Sequence, residues 1–339
     1  MVELKSERLL LRPWKESNAE ELSRIANNKN IAQNMNDKFP FPYNLNDAKD
    51  FIHKSLSKEI QCNFAIEFEG KLAGGIGFEL RDGKGKGVAG GGYWLGEEFW
   101  GKGIATETWM MIINHVFENF DVRKICASVY SWNPASAKVQ EKCGLIKEGV
   151  LRNEVLRFEK IGNEFKYGIL REEWEKKFVV EWEGNFYDCE WFDDTIFENI
   201  KGEIRGVHGF IFDDNKNICL VKFPGKDHWQ VPGGHPESYD KSFDETLVRE
   251  VDEEVDLELK EIKRVGYIKA VPRGDFDTVN YALRYVAEVE KIKEQTIDPA
   301  EGIIPEREFV KPEEFENFTG WIRNGNFQIK KALERLNLN

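Results

Sequence analysis

Acidic side chains crowd one short stretch of the chain near residue 250. Glu250, Glu253 and Glu254 follow Arg249 at spacings that place all three carboxylates on one face of a helix. Carboxylates this close repel one another unless a cation lies among them, and ligand sets made only of oxygen suit Mg²⁺ or Mn²⁺. An acidic helix face that simply meets solvent would show the same spacing. The spacing alone therefore leaves a metal site and a solvated surface both open.

The helix that must carry these carboxylates is marked in the same segment. Apolar residues recur every four positions and predict one buried stripe. They are Phe243, Leu247, Val251 and Val255. Ser242 followed by Glu245 is typical of a capping box, which predicts that the helix starts at this point. Gly233 and Gly234 come before it and predict a tight turn where backbone can approach a phosphate.

Residues 229–257 resemble the Nudix box, G-x5-E-x7-R-E-U-x-E-E-x-G-U, in which U is a bulky apolar residue. The run 249–254 (REVDEE) matches the R-E-U-x-E-E core in full, and 229–234 is similar to the strand and turn before it. The resemblance implies an α/β/α sandwich that hydrolyses a nucleoside diphosphate derivative, with Arg249 orienting Glu253 through an i,i+4 ion pair. The implied ligands of Mg²⁺ or Mn²⁺ are Glu250, Glu253 and Glu254, and the implied catalytic residues of this half are Glu253 and Arg249.

Two departures from the motif bear on this site. The gap from Gly234 to Arg249 is one residue longer than the motif allows, so Lys241 stands where the early glutamate belongs. Asp240 is its nearest acidic substitute, and one metal ligand is therefore removed or shifted. Asp256 replaces the late glycine, which is a mild change because aspartate tolerates the left-handed conformation that ends a helix.

The composition of the chain limits what kind of protein it is. It has 339 residues, 41% of them apolar, which favours two domains with ordinary cores over one. Its net charge of −13 argues against nucleic-acid or anionic-membrane partners. Five scattered cysteines without a C-x-x-C pair indicate reduced thiols in a cytoplasmic protein rather than a disulfide framework or a zinc site. No apolar run is long enough for a membrane helix.

A change of pattern near residue 178 divides the chain. Short strands and helices alternate up to residue 170, and a charged helical tail follows to about residue 177. A segment rich in Trp and Asp then leads into a strand at 206–212, a turn at 213–217 and a partner strand at 218–222. We therefore expect one domain at 1–177 and a second at 178–339.

A glycine-containing turn is the chemical feature of the first half. The predicted strands are 64–68, 72–80 and 92–95, and the predicted helix runs from about 104 to 117. Between them stands Gly101-Lys102-Gly103. Glycines at a strand-to-helix turn leave backbone N–H groups free at a helix N-terminus, where anions such as pyrophosphate bind. An ordinary tight turn has the same composition, so both interpretations stay open at this point.

Residues 1 to about 176 resemble the GNAT acetyltransferases, in particular the branch that includes the ribosomal-protein N-terminal acetyltransferases. The matching elements are SERLLLR at 6–12, WGKGIA at 100–105, NPAS at 133–136 and EKCGL at 141–145. The second stands where the family has Q/R-x-x-G-x-G/A, with Trp100 in the first place. The resemblance implies a mixed sheet with flanking helices that binds acetyl-CoA.

The resemblance also assigns residues to the acetyl-CoA site. The pyrophosphate is expected on the amides of residues 101–106, and the pantetheine arm along the strand that ends at Leu95, near Asn133. The implied cofactor-binding residues are Leu95, Trp100, Gly101, Lys102, Gly103, Ile104, Ala105, Thr106 and Asn133. Ser136 is the implied catalytic residue, a hydroxyl that would protonate the departing CoA thiolate, with helix capping as the alternative role.

Two catalytic positions of the family differ in this sequence. Gly90 stands where many relatives carry a glutamate as general base, and Gln140 stands where many carry a tyrosine as general acid. The resulting prediction is a bifunctional enzyme, an N-acetyltransferase acting slowly on a small-molecule or peptide amine, joined to a Mg-dependent Nudix pyrophosphohydrolase. The alternative is a regulatory protein that binds acetyl-CoA and a nucleotide with little turnover.

Overall fold

The computed structural model describes residues 2–182, 184–274, 278–300, 302–319 and 322–337. The chain forms two compact units, Met1–Trp174 and Glu175–Asn339. Each unit contains a mixed sheet with helices, so the α/β fold class expected from the sequence is confirmed. Among the described residues no helix is long and apolar enough to cross a membrane. The five cysteines are free thiols, as their spacing predicts.

The first unit is built on one sheet. Its strands are Leu4–Lys5 (β1), Leu9–Arg12 (β2), Asn63–Phe68 (β3), Lys71–Leu80 (β4), Val88–Leu95 (β5), Lys124–Tyr130 (β6), Ile146–Arg157 (β7) and Lys160–Leu170 (β8). Its helices are Ala19–Ala26 (α1), Lys29–Ala32 (α2), Leu45–Leu56 (α3), Ile104–Asn119 (α4), Pro134–Lys142 (α5) and Arg171–Glu175 (α6). The strand order is β1-β2-β3-β4-β5-β6-β8-β7.

Helices cover both faces of this sheet. Helix α4 buries Trp109 and Val116 against one face. Helices α1 and α3 bury Leu22 and Ile52 against the other face, around Trp94 of β5. Because side chains alternate along a strand, neighbouring residues of β5 contribute to opposite layers.

Strands β5 and β6 run parallel and then separate. Their pairing joins Val88–Gly90 to Lys124–Cys126. Beyond this point β5 continues to Leu95 paired with β4, and β6 continues to Tyr130 paired with β8. The carboxyl ends of the two strands therefore diverge, and helices α4 and α5 follow them along the chain. We call this pair the splayed strands; it positions the candidate site of the first unit.

The second unit is an α/β/α sandwich. Its strands are Lys177–Trp182 (β9), Asn185–Phe192 (β10), Glu203–Phe212 (β11), Ile218–Lys222 (β12), Gly233–Gly234 (β13), Leu257–Pro272 (β14), Asn280–Ile292 (β15) and Glu306–Val310 (β16). Its helices are Phe243–Val255 (α7), Phe315–Thr319 (α8) and Ile322–Leu336 (α9). The strand order is β16-β12-β11-β15-β14-β10-β9, and β13 pairs with β11.

Helices α7 and α9 bury opposite faces of this second sheet. Val251 of α7 packs in one core with Tyr285 of β15. Ala332 of α9 packs in the other core with Val286, the next residue of the same strand. The alternation of side chains along β15 thus supplies both layers of the sandwich that the sequence predicts.

Three predicted element boundaries are wrong. The strand expected from residue 206 begins at Glu203, where β11 already pairs with β15. The strand expected at 92–95 begins already at Val88, because the glycine run of β5 pairs along its whole length with β4. The helical tail expected up to residue 177 ends at Glu175, and the Trp- and Asp-rich segment after it forms the β9–β10 hairpin. In all three places, pairing with another strand overrides weak local preferences of the sequence.

Candidate functional site

Helix α7 begins where the sequence predicts. Ser242 is its N-cap, and the Ser242 hydroxyl accepts a hydrogen bond from the Glu245 N–H at 3.2 Å. The Glu245 carboxylate accepts from the N–H of Lys241 at 2.9 Å rather than from that of Ser242. The reciprocal bond of the capping box is therefore shifted by one residue. The N–H of Glu245 and the N–H of Lys241 both have a side-chain acceptor.

Asp256 ends helix α7 in the left-handed conformation, with φ 49° and ψ 50°. Its carboxylate accepts hydrogen bonds from the N–H and the hydroxyl of Thr296, at 2.8 and 2.9 Å. Aspartate thus adopts the backbone conformation that the motif's glycine would adopt, as expected, and adds a contact to the loop before β16 that glycine lacks.

Arg249 connects helix α7 to the loop before it. Its Nε and Nη2 donate to the two carboxylate oxygens of Asp240 at 3.0 and 2.9 Å. Its Nη1 lies 3.0 Å from Glu253 Oε2 and 2.8 Å from Glu250 Oε1. Nη2 also donates to the carbonyl of His235 at 3.0 Å. The ion pair predicted between Arg249 and Glu253 is present, and a single guanidinium orients several acidic groups at once.

Asp240 stands in for the early glutamate as the partner of Arg249. Hydrogen bonds from Arg249 hold the pKa of the Asp240 carboxyl at about 2, below its ordinary value, and the Thr246 hydroxyl donates to the same carboxylate at 2.9 Å. The Asp240 side chain is only 6% exposed. Both carboxylate oxygens of Asp240 are therefore engaged. The inserted residue changes the acidic partner of Arg249 but leaves the carboxylates of α7 at the spacings of the motif.

Glu250 and Glu254 lie against the Gly233–Gly234 turn. Glu254 Oε2 accepts a hydrogen bond from the Gly233 N–H at 2.8 Å, and the residue is 7% exposed. A Cβ on Gly234 would lie 2.4 Å from Glu250 Oε2, so any larger residue at this position would displace that carboxylate from the turn. Burial raises the pKa of both glutamates, that of Glu254 strongly. Two desolvated carboxylates this close form an anionic site beside a backbone turn.

Asp298 approaches the same carboxylates from the loop between β15 and β16. It is 3% exposed, and its Oδ1 accepts a hydrogen bond from the Ala300 N–H at 2.8 Å. Its negative charge contributes to the raised pKa of Glu250 and Glu254. No sequence pattern marks Asp298 as functional, since an Asp-Pro pair in a loop is the ordinary composition of a turn.

The residues at this turn fit a hard divalent cation. Within the part of the chain that the structure describes, no three His, Cys, Asp or Glu side chains converge as a preformed metal cluster. The donors are nevertheless all oxygens, and the carboxylates of buried Glu254 and partly buried Glu250 carry raised pKa values that a cation would lower. The buried Glu254 carboxylate has a backbone N–H but no cationic side chain as its partner among the described residues, and this is the observation that favours a cation here.

In the first unit, the turn before helix α4 leaves backbone amides free. Gly101 and Gly103 have φ of 74° and 76°, and Gly103 is the N-cap of the helix. The first backbone bond of α4 runs from the Glu107 N–H to the Gly103 carbonyl at 3.1 Å. The amides of residues 104–106 therefore precede the helical ladder and lie at the positive end of the helix dipole.

Cationic side chains stand beside these amides. Arg8 Nη2 lies 2.8 Å from Glu107 Oε2, and the Ser6 hydroxyl donates to the other oxygen of Glu107 at 2.5 Å. Lys102 Nζ lies 5.5 Å from the ring centre of Phe99. The opening strand motif is thus tied to the first turn of α4, which brings Arg8 next to the expected phosphate position.

Trp100 closes the turn between β5 and α4. Its indole Nε1 donates to the Leu95 carbonyl at 2.9 Å, while the residue remains 44% exposed. Leu95 is buried, at 7% exposed. The structure therefore brings these two predicted residues together at the end of β5, and the Leu95 carbonyl is engaged by the indole.

Asn133, rather than Ser136, caps helix α5. The Asn133 Oδ1 accepts from the Ser136 N–H at 3.1 Å, so the capping role considered for Ser136 belongs to Asn133. The Ser136 hydroxyl lies 3.1 Å from Tyr93 Oη. Tyr93 is on β5 and Ser136 follows β6, so this contact spans the splayed strands. Burial raises the pKa of Tyr93 to about 12, which keeps its phenol protonated at neutral pH.

Gln140 is removed from any acid role by its own contacts. It is 2% exposed, and its Oε1 accepts from the Trp109 Nε1 at 2.8 Å. Tyr93 therefore supplies the hydroxyl nearest to Ser136 in this region. Tyr93 could not be identified as functional from the sequence, because a Tyr in a predicted strand is most often a packing residue.

Comparisons with known proteins match each unit separately. Residues 8–146 match the family model described as acetyltransferase (GNAT) domain. Residues 202–332 match the NUDIX domain model. Both resemblances drawn from the sequence motifs are thereby confirmed.

Characterised and uncharacterised relatives match the first unit. The chain is 31% identical over 147 residues to the uncharacterized N-acetyltransferase YokL, derived from the SPbeta prophage of Bacillus subtilis, covering 43% of this chain and 81% of YokL. It is 29% identical over 179 residues to the uncharacterized N-acetyltransferase p20 of Bacillus licheniformis, covering 51% and 99%. The microcin C7 self-immunity acetyltransferase MccE, solved with acetyl-CoA and AMP, is 25% identical with a TM-score of 0.44, covering 49% and 93%.

Proposed function

This chain belongs to the GNAT acetyltransferases and carries a NUDIX domain, and from that membership we propose a bifunctional enzyme with two specific activities. The first unit transfers an acetyl group from acetyl-CoA to an amine of a small molecule or peptide. The second hydrolyses a diphosphate bond in a nucleoside diphosphate derivative with the help of Mg²⁺ or Mn²⁺. The observation that carries the hydrolase proposal is the pair of carboxylates at the Gly233–Gly234 turn, of buried Glu254 and partly buried Glu250.

Each residue of the hydrolase site has a part in this proposal. A bound divalent cation would neutralise the diphosphate and activate the attacking water. Glu250, Glu253 and Glu254 would hold that cation with carboxylate oxygens. Arg249 keeps Glu253 oriented through their 3.0 Å ion pair. Asp298 adds a further carboxylate from the opposite loop.

Acetyl transfer uses the splayed strands. The pyrophosphate of acetyl-CoA would bind the amides of residues 101–106, and Lys102 and Arg8 would add positive charge. The acceptor nitrogen attacks the thioester carbonyl, a C–N bond forms, and the C–S bond breaks. The departing thiolate takes a proton from the Ser136 hydroxyl, and Tyr93 Oη, 3.1 Å away, returns one to Ser136. The proton that the acceptor amine loses returns to Tyr93 through solvent.

Two assays on the full chain test these activities. One measures acetyl-CoA-dependent acetylation of a panel of amines and of peptides with free N-termini. The other measures Mg²⁺-dependent phosphate-bond cleavage in nucleotide sugars, ADP-ribose and dinucleoside polyphosphates. Turnover in both assays supports the proposal. Tight binding of acetyl-CoA and of nucleotides with turnover in neither assay would replace it with the regulatory alternative.

A further inference from the structure

Glu79 of β4 lies directly opposite Gly90 of β5 in the antiparallel ladder. Opposite residues in such a pair point to the same face, with their Cβ positions about 4.5–5.5 Å apart. The next pair along, Phe78 and Gly91, faces helix α4, since a Cβ on Gly91 would lie 2.5 Å from the Trp109 ring. Glu79 and Gly90 therefore share the opposite face of the sheet.

That face is open where the splayed strands begin to separate. A Cβ on Gly90 would meet its nearest neighbours, Arg81 and Cys126, only at 3.7 Å and beyond. A Cβ on Gly92 would meet no heavy atom within 4 Å. Farther along β5, Trp94 is already covered by the core of α1 and α3. The glycines of β5 thus leave space next to Glu79, at Gly90, where β5 and β6 begin to separate.

The Glu79 carboxylate is free to act in that space. The residue is exposed, and within the described residues no hydrogen bond or salt bridge engages its carboxylate. The nearby guanidinium of Arg81 donates instead to Cys126 Sγ at 2.9 Å, on the β6 side of Gly90. A cationic amine that approaches the place where β5 and β6 begin to separate therefore meets the unpaired Glu79 carboxylate.

We infer that Glu79 is the general base of the acetyl transfer, acting from the strand next to the one that holds Gly90. This inference rests on the proposed acetyltransferase function. The acceptor amine enters as an ammonium ion and gives one proton to solvent and, as its nitrogen attacks the thioester carbonyl, a second proton to the Glu79 carboxylate. The thiolate leaves with the proton of Ser136, Tyr93 replaces that proton, and solvent carries the proton from Glu79 back to Tyr93, so charge and atoms balance. Gly90 adds no side chain between Glu79 and the acceptor, and the Arg81 guanidinium beside Gly90 is held by Cys126 Sγ.

The test moves the carboxylate from one strand to the other in the full chain. Glu79→Gln should lower kcat for the best amine acceptor by about 10²-fold, while calorimetry shows unchanged acetyl-CoA affinity. The double variant Glu79→Gln/Gly90→Glu should recover a substantial part of the rate, since Gly90 has ordinary φ and room for a side chain. Glu59→Gln, at an exposed glutamate outside the strands, is the matched control and should keep the wild-type rate.

The outcomes separate this inference from the function on which it rests. A wild type that acetylates amines together with a Glu79→Gln variant within threefold of its rate would overturn the inference and leave the function standing. An impaired Glu79→Gln variant that the Gly90→Glu change does not restore would also overturn it, because a general base should act from either strand. A wild type that acetylates no amine would overturn both.

Discussion

Asp240 and Arg249 are joined by two parallel hydrogen bonds, from Nε to Oδ1 at 3.0 Å and from Nη2 to Oδ2 at 2.9 Å. The acid is one methylene shorter than the motif's glutamate, and the loop that carries it is one residue longer. The two changes leave Arg249 fixed and still paired with Glu253 at 3.0 Å. The orientation of the carboxylates on α7 thus depends on a partner outside the helix.

Replacing Asp240 by Asn should destabilise helix α7. The folded pKa of about 2 lies below the ordinary value near 3.9. A carboxyl whose pKa is lower in the folded protein stabilises the fold at pH values above its pKa in the unfolded chain. This stabilisation is lost as the pH falls through the pKa in the folded protein. We expect a loss of about 1–2 kcal/mol at pH 7 that shrinks as the pH falls from about 4 towards 2. Hydrogen exchange of the α7 amides measures this loss of stability in the full chain.

The control for this change is Asp214→Asn, at a side chain that is 93% exposed in the β11–β12 turn. It should leave the exchange of α7 unchanged. Equal protection of α7 in wild type and Asp240→Asn at pH 7 would show that the pair contributes nothing to the helix.

Replacing Gly103 by Val should weaken CoA binding by about tenfold or more. The φ of 76° strains any branched side chain, and a Cβ would lie 3.3 Å from Arg8 Nη2. Both effects disturb the amides at the start of α4. Gly149→Ala is the matched control, because its Cβ would meet no atom within 4 Å. Calorimetry with CoA gives the two affinities, and an unchanged value for Gly103→Val would move the pyrophosphate site elsewhere.

Replacing Tyr93 by Phe should lower kcat of acetyl transfer by about tenfold and leave KM for acetyl-CoA unchanged. The change removes the hydroxyl that lies 3.1 Å from Ser136 Oγ and little else. Because the two hydroxyls act in series, Tyr93→Phe/Ser136→Ala should be no slower than Ser136→Ala alone. Additive losses in steady-state kinetics would mean that the two groups act independently.

Magnesium binding should release protons from the second unit. Burial raises the pKa of Glu250 and Glu254 in the metal-free protein, so these carboxyls retain protons to higher pH than usual. A bound cation favours the ionised form of these carboxyls, and the affinity for Mg²⁺ should therefore rise with pH. Titration calorimetry in two buffers of different ionisation enthalpy detects the released protons. Glu254→Gln should reduce the release, and an equal release in that variant would place the cation elsewhere.

Local patterns predicted what depends on local contacts. The start of α7 at Ser242, its end at Asp256 and the Arg249–Glu253 pair all arise from spacings of a few residues. The turn before α4 followed from its glycines in the same way. These features are fixed by hydrogen bonds and side-chain distances within one or two helical turns.

The contacts that the sequence did not predict join distant parts of the chain. Asp298 reaches Glu254 from a loop beyond two long strands, and Glu79 meets Gly90 only through the register of β4 and β5. The Tyr93–Ser136 contact requires the splayed strands to bring β5 and α5 together. Register and strand order are properties of the folded sheet, which no short motif encodes.

The most direct test of the hydrolase site is the turnover of the best nucleoside diphosphate substrate by wild type and by Glu254→Gln, with Mg²⁺ and with a chelator. Glutamine keeps the shape and the acceptor for the Gly233 N–H, so the variant should fold. We expect wild-type turnover that requires Mg²⁺ and a loss of about 10²-fold or more in Glu254→Gln. Equal rates in the two proteins, or activity that survives chelation, would contradict a catalytic metal on helix α7.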